Sequence, residues 1–126
     1  MIRDLTLRRS LASLTHYGSV IRNAPVCIVV FFDHSRVYDR VKDVQAVGGC
    51  IQNMLLTIRS IGLGGVWLGE ILKNKEKVGE LLGAGEDLEL MAVVALAHPH
   101  ENYLRSGVGD GSRRRDRLEE RVFLRK

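Results

Sequence analysis

The feature that most constrains the fold is a series of apolar residues spaced three and four apart over residues 42–61. This spacing predicts one long α-helix, with its apolar core over residues 44–61. Ala46, Gly48 and Gly49 lie inside it, where each glycine costs about 1 kcal/mol relative to alanine. We therefore expect the helix to be buried on most sides and another element to pack very close to it. A second copy of the helix is the simplest candidate, so a homodimer is expected.

Two continuous apolar runs, one on each side of this helix along the chain, predict buried strands. "APVCIVVFFD" starts at Ala24, and "LELMAVVALAHP" starts at Leu88. Runs of this kind indicate strands that are covered on both faces. Between them, "GGVWLGE" predicts a short extended piece after Gly62, which stands where a helix C-cap glycine belongs. Asn74 is predicted to cap a further helix, "KEKVGELL", which Gly83 closes.

The N-terminal region predicts one short helix. Leu7, Leu11 and Leu14 follow helical spacing, and the helix is expected to end near Gly18. The element order is then helix, strand, helix, short strand, helix, strand and tail, which indicates an α/β or α+β domain. With 126 residues the chain has the size of one domain. We predict a single domain over residues 1–126, with an N-terminal helix in 1–22, a core in 23–99 and a loop and basic tail in 100–126.

The net charge of +4 is concentrated at the C-terminus. Residues 113–126, "RRRDRLEERVFLRK", contain seven Lys or Arg and three acidic residues. A nucleic-acid arm is one interpretation, but the cluster is short and lacks interleaved aromatic residues. A solvated basic tail is the simpler interpretation, and nucleic-acid binding is not expected.

The cellular location is predicted from apolar runs and cysteines. No run approaches the roughly 18 apolar residues of a membrane span, and no signal peptide follows Met1. A cytoplasmic location is therefore expected. Cys27 and Cys50 lack CxxC spacing, and we expect both to be reduced and buried.

The glycine-rich stretch "IGLGGVWLGE" does not fit a phosphate-binding loop. A dinucleotide fingerprint needs G-x-G-x-x-G at a strand-to-helix turn, whereas these glycines follow a helix and enter a strand. No Gly-Lys-Ser/Thr follows, so a P-loop is also excluded. The stretch fits either close helix-to-strand packing or a flat ring laid against main-chain amides beside Trp67.

Other candidate sites are weaker. His98 and His100 in "HPH" lack a nearby cysteine or carboxylate at ligand spacing, so no metal site is predicted. Asp39 and Asp43 could share a helix face as paired acids, but first-turn charges favoured by the helix dipole are the preferred interpretation. No Ser/His/Asp or Cys/His arrangement for nucleophilic catalysis is visible.

From about Asn23 to Pro99 the sequence resembles the C-terminal half of the FMN-dependent nitroreductase family. "NAPVCIVVFFD", "DVQAVGGCIQNMLL", "GLGGVWLGE" and "LELMAVVALAHP" carry the resemblance. The family implies an α+β fold in which helices flank a sheet dominated by antiparallel strands. It also implies an obligate homodimer whose core is the 44–61 helix, with FMN at the subunit interface.

The resemblance also implies a site and a reaction. The segment formed by Trp67, Leu68, Gly69 and Glu70 would run along the flavin ring, with a backbone amide near its N5 atom. The implied reaction passes a hydride from NAD(P)H through N5 to a nitroaromatic, quinone or similar acceptor, without an essential catalytic side chain.

The tail and the N-terminus complete the comparison with the family pattern. Arg113 and Arg115, ahead of "RLEE", are the expected phosphate-binding residues, because guanidinium groups suit a phosphate. The family's N-terminal FMN-binding half is expected to be missing, and Arg8 and Arg9 in "RRSLA" are interpreted as a coincidental match to its phosphate motif. The alternative function is a non-catalytic dimerisation or ligand-binding remnant that binds FMN weakly or not at all. A nucleic-acid binder on a reused scaffold is a third hypothesis.

Overall fold

The computed structural model describes residues 1–100 of the chain as an α+β fold. None of its helices in this part is long and apolar enough to cross a membrane. The predicted long helix, the three strands and the later helix are confirmed. In chain order the elements are α1 (Leu5–Ala12), α2 (Gly18–Asn23), β1 (Val26–Asp33), a first 3-10 helix (His34–Arg36), α3 (Arg40–Ser60), β2 (Gly64–Leu68), a second 3-10 helix (Glu70–Asn74), α4 (Lys75–Leu82) and β3 (Leu88–Ala97).

The three strands form one antiparallel sheet in the order β1-β3-β2. The central strand is β3, and its continuous apolar sequence agrees with a strand that contributes to an apolar core on each face of the sheet. The outer edge of β1 is partly closed by Ile2, whose backbone exchanges two hydrogen bonds with Cys27. Within residues 1–100 no strand pairs with the outer edge of β2.

The sheet separates two apolar cores. On one face, α1, α2, the second 3-10 helix and α4 form the core with β3, and on the other face α3 is the one helix among residues 1–100 that covers the sheet. Alternation along β3 sends Val93 and Ala95 into the first core and Ala92 and Val94 into the second. The first core is the larger, and its fully buried side chains include Leu11, Ile21, Cys27, Ile71, Val78 and Val93.

The N-terminal prediction of a single helix that ends near Gly18 was wrong. α1 ends at Ala12, and a second helix, α2, begins at Gly18. The hydroxyl of Ser13 donates to the carbonyl oxygen of Ser10 (2.7 Å), a local bond at the end of α1. The chain then turns, and Gly18 lies directly against the carbonyl of Ala12, where a larger residue has no space.

The expectation that α3 is buried on most sides was also wrong for the chain as described. Its only buried residues are Ile51 and Ile58, and the side chain of Leu56 is 59% exposed. A Cβ atom built at Gly48 or Gly49 would have no neighbour within 4 Å. The helix covers the sheet with one face only, so residues 1–100 of this chain do not supply the close partner predicted at the glycines.

The two cysteines differ in their surroundings. Cys27 is buried as predicted, and burial raises the pKa of its thiol while the nearby Arg8 guanidinium acts to lower it. Cys50 is exposed, which corrects the expectation that both are buried, because it lies on the uncovered side of α3. Neither cysteine forms a disulfide in the described part of the chain.

The helix ends agree with the predicted C-terminal glycines, and the two acids predicted for the first turn of α3 make hydrogen bonds there. Asp39 accepts a hydrogen bond from the backbone N–H of Lys42 (3.0 Å), and Asp43 accepts bonds from the N–H groups of Tyr38 and Asp39. Both acids therefore serve the first turn of α3 rather than an acid pair. Gly62 (φ 80°) and Gly83 (φ 63°) adopt the left-handed conformation typical of helix ends.

Asn74 lies at the predicted N-cap position of α4, but its side chain makes no capping hydrogen bond. The side-chain amide instead donates to the carbonyl oxygen of Leu14 (2.9 Å). The prediction was correct for the position and wrong for the contact, because the competing acceptor comes from a distant part of the sequence.

Candidate functional site

The candidate site is the 67–70 segment, where β2 ends and the second 3-10 helix begins. Trp67 pairs across the sheet with Val94, which belongs to the α3 core, so the indole lies on the α3 face. That side chain is 42% exposed, whereas Leu68 is buried in the opposite core. The segment thus presents the partly exposed Trp67 ring beside a backbone that is held in place by the buried side chain of Leu68.

The glycines around Trp67 have different structural roles. A Cβ atom at Gly65 would lie 3.1 Å from Ile58 Cγ2 and 3.2 Å from Leu55 Cδ2, so this glycine lets α3 approach β2. At Gly69 a Cβ atom would meet nothing within 4 Å. Close helix-to-strand packing therefore explains Gly65, while Gly69 leaves main chain accessible beside the indole.

The Glu70 side chain is engaged within the protein. One carboxylate oxygen accepts hydrogen bonds from Thr15 Oγ1 (2.6 Å) and from the backbone N–H of His16 (3.1 Å), and the other pairs with Lys73. The Lys73 ammonium, followed by the Thr15 hydroxyl, lowers the pKa of Glu70 to about 2. The carboxylate is therefore ionised near neutral pH and directed at the connection between α1 and α2. The sequence offered no signal for this contact.

The structure brings together four of the six predicted cofactor-binding residues. Trp67, Leu68, Gly69 and Glu70 are consecutive and span the end of β2, which is an edge strand among residues 1–100, and the start of the second 3-10 helix. Arg113 and Arg115 lie outside the described residues.

The Arg8 side chain makes hydrogen bonds to the backbone within the protein. Its Nη1 atom donates to the carbonyl oxygens of Arg22 and Ala24, which ties α1 to the end of α2. Its Nε atom is buried and makes no hydrogen bond. These contacts support the interpretation that the "RRSLA" match to a phosphate motif is coincidental.

A cluster around Glu89 was missed by the sequence reasoning. His34 Nε2 (2.9 Å), Arg40 Nη1 (3.0 Å) and Lys75 Nζ (3.1 Å) surround its carboxylate. The hydrogen bond from Lys75 is the largest cause that lowers the pKa of Glu89 to about 2, followed by the bond from Arg40. The cluster borders a cavity of about 480 Å³ between α4 and the start of β3.

A second cavity, of about 460 Å³, lies at the other end of the sheet. Its lining is mainly apolar and includes Val20, Ala24 and Val66, with His98 and His100 at its border. In residues 1–100 no three His, Cys, Asp or Glu side chains are grouped to hold a metal ion.

Comparison with known proteins identifies the family of this chain. The profile of the nitroreductase family matches residues 3–98. The chain belongs to the nitroreductase family. A Desulfovibrio desulfuricans protein described as a nitroreductase, and solved in complex with FMN, is 35% identical to this chain and superimposes with a TM-score of 0.85. That similarity covers 100% of this nitroreductase-family chain and 69% of the other.

Curated relatives give the same family. The chain is 30% identical over 104 residues to an Archaeoglobus fulgidus protein named as an NADH dehydrogenase/NAD(P)H nitroreductase, covering 80% of this chain and 60% of that protein. It is also 30% identical over 113 residues to the NADPH-flavin oxidoreductase of Vibrio harveyi, covering 80% and 47%. This nitroreductase-family chain thus spans about half the length of the curated relatives it matches.

Proposed function

We propose that this chain forms an FMN-dependent NAD(P)H oxidoreductase of the nitroreductase type. The observation that carries the proposal is the similarity of the entire chain to a protein solved with FMN bound. The relatives named as NAD(P)H nitroreductase and NADPH-flavin oxidoreductase support the same reaction class. A cytoplasmic location belongs to the proposal and stays a prediction.

The 67–70 segment fits a flat, hydrogen-bonding ring. Gly69 has no neighbouring atom within 4 Å of its Cβ position, so a ring could approach the main chain closely there. The exposed indole of Trp67 adds apolar surface beside it. Among residues 1–100 no strand pairs with the outer edge of β2, so alternate backbone groups there can serve as donors and acceptors for an isoalloxazine.

Bound FMN would supply the redox chemistry, accepting a hydride from NAD(P)H and passing electrons to a nitroaromatic, quinone or similar acceptor. The chain's contribution is to bind and orient. A backbone N–H of the 67–69 residues would donate to the ring where negative charge develops, and this donor needs no titration. The burial of Leu68 fixes that backbone in advance. Arg113 and Arg115 are proposed to bind the phosphate.

We also propose that two copies associate through α3. Leu56, Gly48, Gly49 and Cys50 all lie on the side of the helix that the sheet does not cover. Glycines without neighbours on a helix surface allow a second helix to approach closely. The exposed Leu56 side chain next to these small residues would gain free energy when a partner helix covers it.

The direct test is the addition of FMN to the purified protein, followed by its visible spectrum and melting temperature. We expect a yellow complex whose melting temperature rises with FMN concentration, since 100-fold excess over Kd stabilises by about 2.7 kcal/mol. Anaerobic NAD(P)H should then bleach the flavin absorption. A protein that stays colourless and gains no stability at high FMN would refute the proposal.

The second candidate function is a non-catalytic dimerisation or ligand-binding unit. The observation that favours it is that Gly48 and Gly49 of α3 have no neighbour within 4 Å of their Cβ positions in residues 1–100, which leaves room for a partner helix. In that case the protein would form dimers in solution without an FMN-dependent change in melting temperature. Measuring mass and FMN response on the same sample separates the two functions.

A further inference from the structure

The connection between α1 and α2, residues 13–17, is joined to the second 3-10 helix by three hydrogen bonds. We call these five residues the Thr15 loop. Asn74, at the C-terminal end of the second 3-10 helix, donates from Nδ2 to the carbonyl oxygen of Leu14. Glu70, at the N-terminal end of the same helix, accepts hydrogen bonds from the Thr15 hydroxyl and the His16 N–H. Residues 54 to 60 positions apart in sequence are thereby joined.

Both oxygens of Glu70 are used by these contacts. Oε2 takes the two bonds from the Thr15 loop, and Oε1 faces Lys73 and lies 3.8 Å from His16 Nε2. The side chain is only 26% exposed. Hydrogen bonds to an ionised carboxylate are shorter and stronger than neutral ones, and the 2.6 Å bond from Thr15 agrees with this. The carboxylate is occupied in holding protein atoms together.

The Glu70 anchor is adjacent to the peptide bond that joins Gly69 to Glu70. Leu68, the residue before Gly69, is buried in the core, but Gly69 has no side chain and has open space around its Cβ position. Glycine has more accessible backbone conformations than any other residue. The turn is held by the bond from the Leu72 N–H to the Gly69 carbonyl (3.1 Å) and by the burial of Ile71. The Glu70 side chain adds the hydrogen bonds that join the turn to the Thr15 loop.

We propose that Glu70 is a positioning residue, which fixes the 67–69 backbone by anchoring its carboxylate to the Thr15 loop and does not itself contact the cofactor. The effect of Glu70 on flavin binding rests on the proposed function. Its effect on the backbone of the turn rests on the hydrogen bonds alone. Glu70 thus affects the site through Thr15, a residue outside the 67–70 segment.

The informative variant is Thr15→Val, which removes the donor hydroxyl at nearly constant size and leaves Glu70 in place. Glu70→Gln removes the charge, and the double variant tests whether both act through one contact. Ser13→Ala is the matched control, because the Ser13 hydroxyl lies in the same loop but donates only to the Ser10 carbonyl of its own helix.

The first measurement uses the protein without FMN. Amide hydrogen exchange at residues 68–70 should become faster in Thr15→Val and in Glu70→Gln, and the chain's only tryptophan, Trp67, should become easier to quench. Ser13→Ala should match the parent protein in both. Unchanged exchange at residues 68–70 in Thr15→Val would overturn the inference, whatever the protein binds.

The second measurement is FMN affinity, followed by flavin fluorescence. We expect Thr15→Val to weaken binding about tenfold, a loss in the range of one charge-assisted hydrogen bond. The double variant should bind no more weakly than Glu70→Gln alone, because both remove one shared contact. Weakened binding in Glu70→Gln with parent-like binding in Thr15→Val would show that Glu70 does not act through Thr15 and would overturn the inference.

The two proposals fail in different ways. A parent protein that binds no FMN refutes the proposed function, while faster exchange at residues 68–70 in Thr15→Val still supports Glu70 as the residue that positions the turn. Normal FMN binding in the parent and in Thr15→Val, with unchanged exchange, refutes the positioning role and leaves the proposed function intact.

Discussion

Gly18 joins two helices at a point where no side chain fits. A Cβ atom at this position would overlap the carbonyl oxygen of Ala12, a backbone atom that cannot rotate away. Gly18→Ala should therefore lower the free energy of unfolding by about 1–3 kcal/mol, the usual cost of overpacking. Urea unfolding measures this difference as a lower midpoint.

The matched control for this change is Gly85→Ala. Gly85 has no atom within 4 Å of its Cβ position and does not have a positive φ angle. Alanine there should leave stability unchanged or raise it slightly, because it restricts the unfolded chain. Equal midpoints for the two variants would contradict the close contact between α1 and α2.

Individual residues were predictable from the sequence where the contact is local. The left-handed glycines Gly62 and Gly83 and the cap at Asp39 depend on neighbours within a few positions. The contacts of Asn74 and Glu70 involve partners 54 to 60 positions away, so no local pattern indicates them. The exposure of Cys50 likewise depends on which face of α3 meets the sheet.

Between elements, Glu89 is the main polar link. It stands on β3 and pairs with Arg40 at the start of α3, Lys75 at the start of α4 and His34 in the first 3-10 helix. Its side chain is only 18% exposed, so solvent screens these pairs less than surface pairs. Replacing this carboxylate by an amide removes the shared negative charge and one of the two acceptor oxygens.

Glu89→Gln should lower the free energy of unfolding at neutral pH by about 1–3 kcal/mol. The folded protein lowers the pKa of Glu89 from 4.5 to about 2, so its stabilisation is complete above pH 4.5 and is lost as the pH falls towards 2. The parent should therefore lose stability in this interval more steeply than the variant. Urea unfolding at several pH values measures both slopes.

An exposed acid nearby supplies the control. Glu86→Gln removes one carboxylate from the border of the same cavity without affecting the three donors around Glu89. It should retain the parent's acid dependence and neutral stability. If Glu89→Gln and Glu86→Gln gave the same curves, the cluster would contribute nothing measurable.

Helices and strands with strong apolar periodicity were predictable from the sequence, and the turn that ends α1 was not. The 3.6-residue pattern located α3, and the continuous apolar runs located β1 and β3, because burial itself produces those patterns. Leu7, Leu11 and Leu14 also follow a helical pattern, yet Leu14 lies beyond the end of α1. The turn that separates α1 from α2 is stabilised by the second 3-10 helix, so it depends on tertiary contacts.

At the scale of the whole molecule, the sheet order and the uncovered surfaces emerge only from the structure. The sequence indicated three strands but not that β3, the last, lies between the other two, because long-range pairing leaves no local pattern. It did predict that the glycines of α3 need a partner. The structure of residues 1–100 sharpens that prediction, since Gly48 and Gly49 have no neighbours there.

The proposed association through α3 can be separated from folding by one substitution. Gly49→Arg places a large charged side chain where the single chain has open space, so the fold should tolerate it. Arginine also favours a helix by nearly 1 kcal/mol over glycine, so α3 itself should not weaken.

We expect the parent to sediment as a dimer and Gly49→Arg as a monomer, with the same circular dichroism. Gly85→Arg, with the same charge change away from α3, should remain dimeric. If Gly49→Arg kept the parent's mass, α3 would not be the interface.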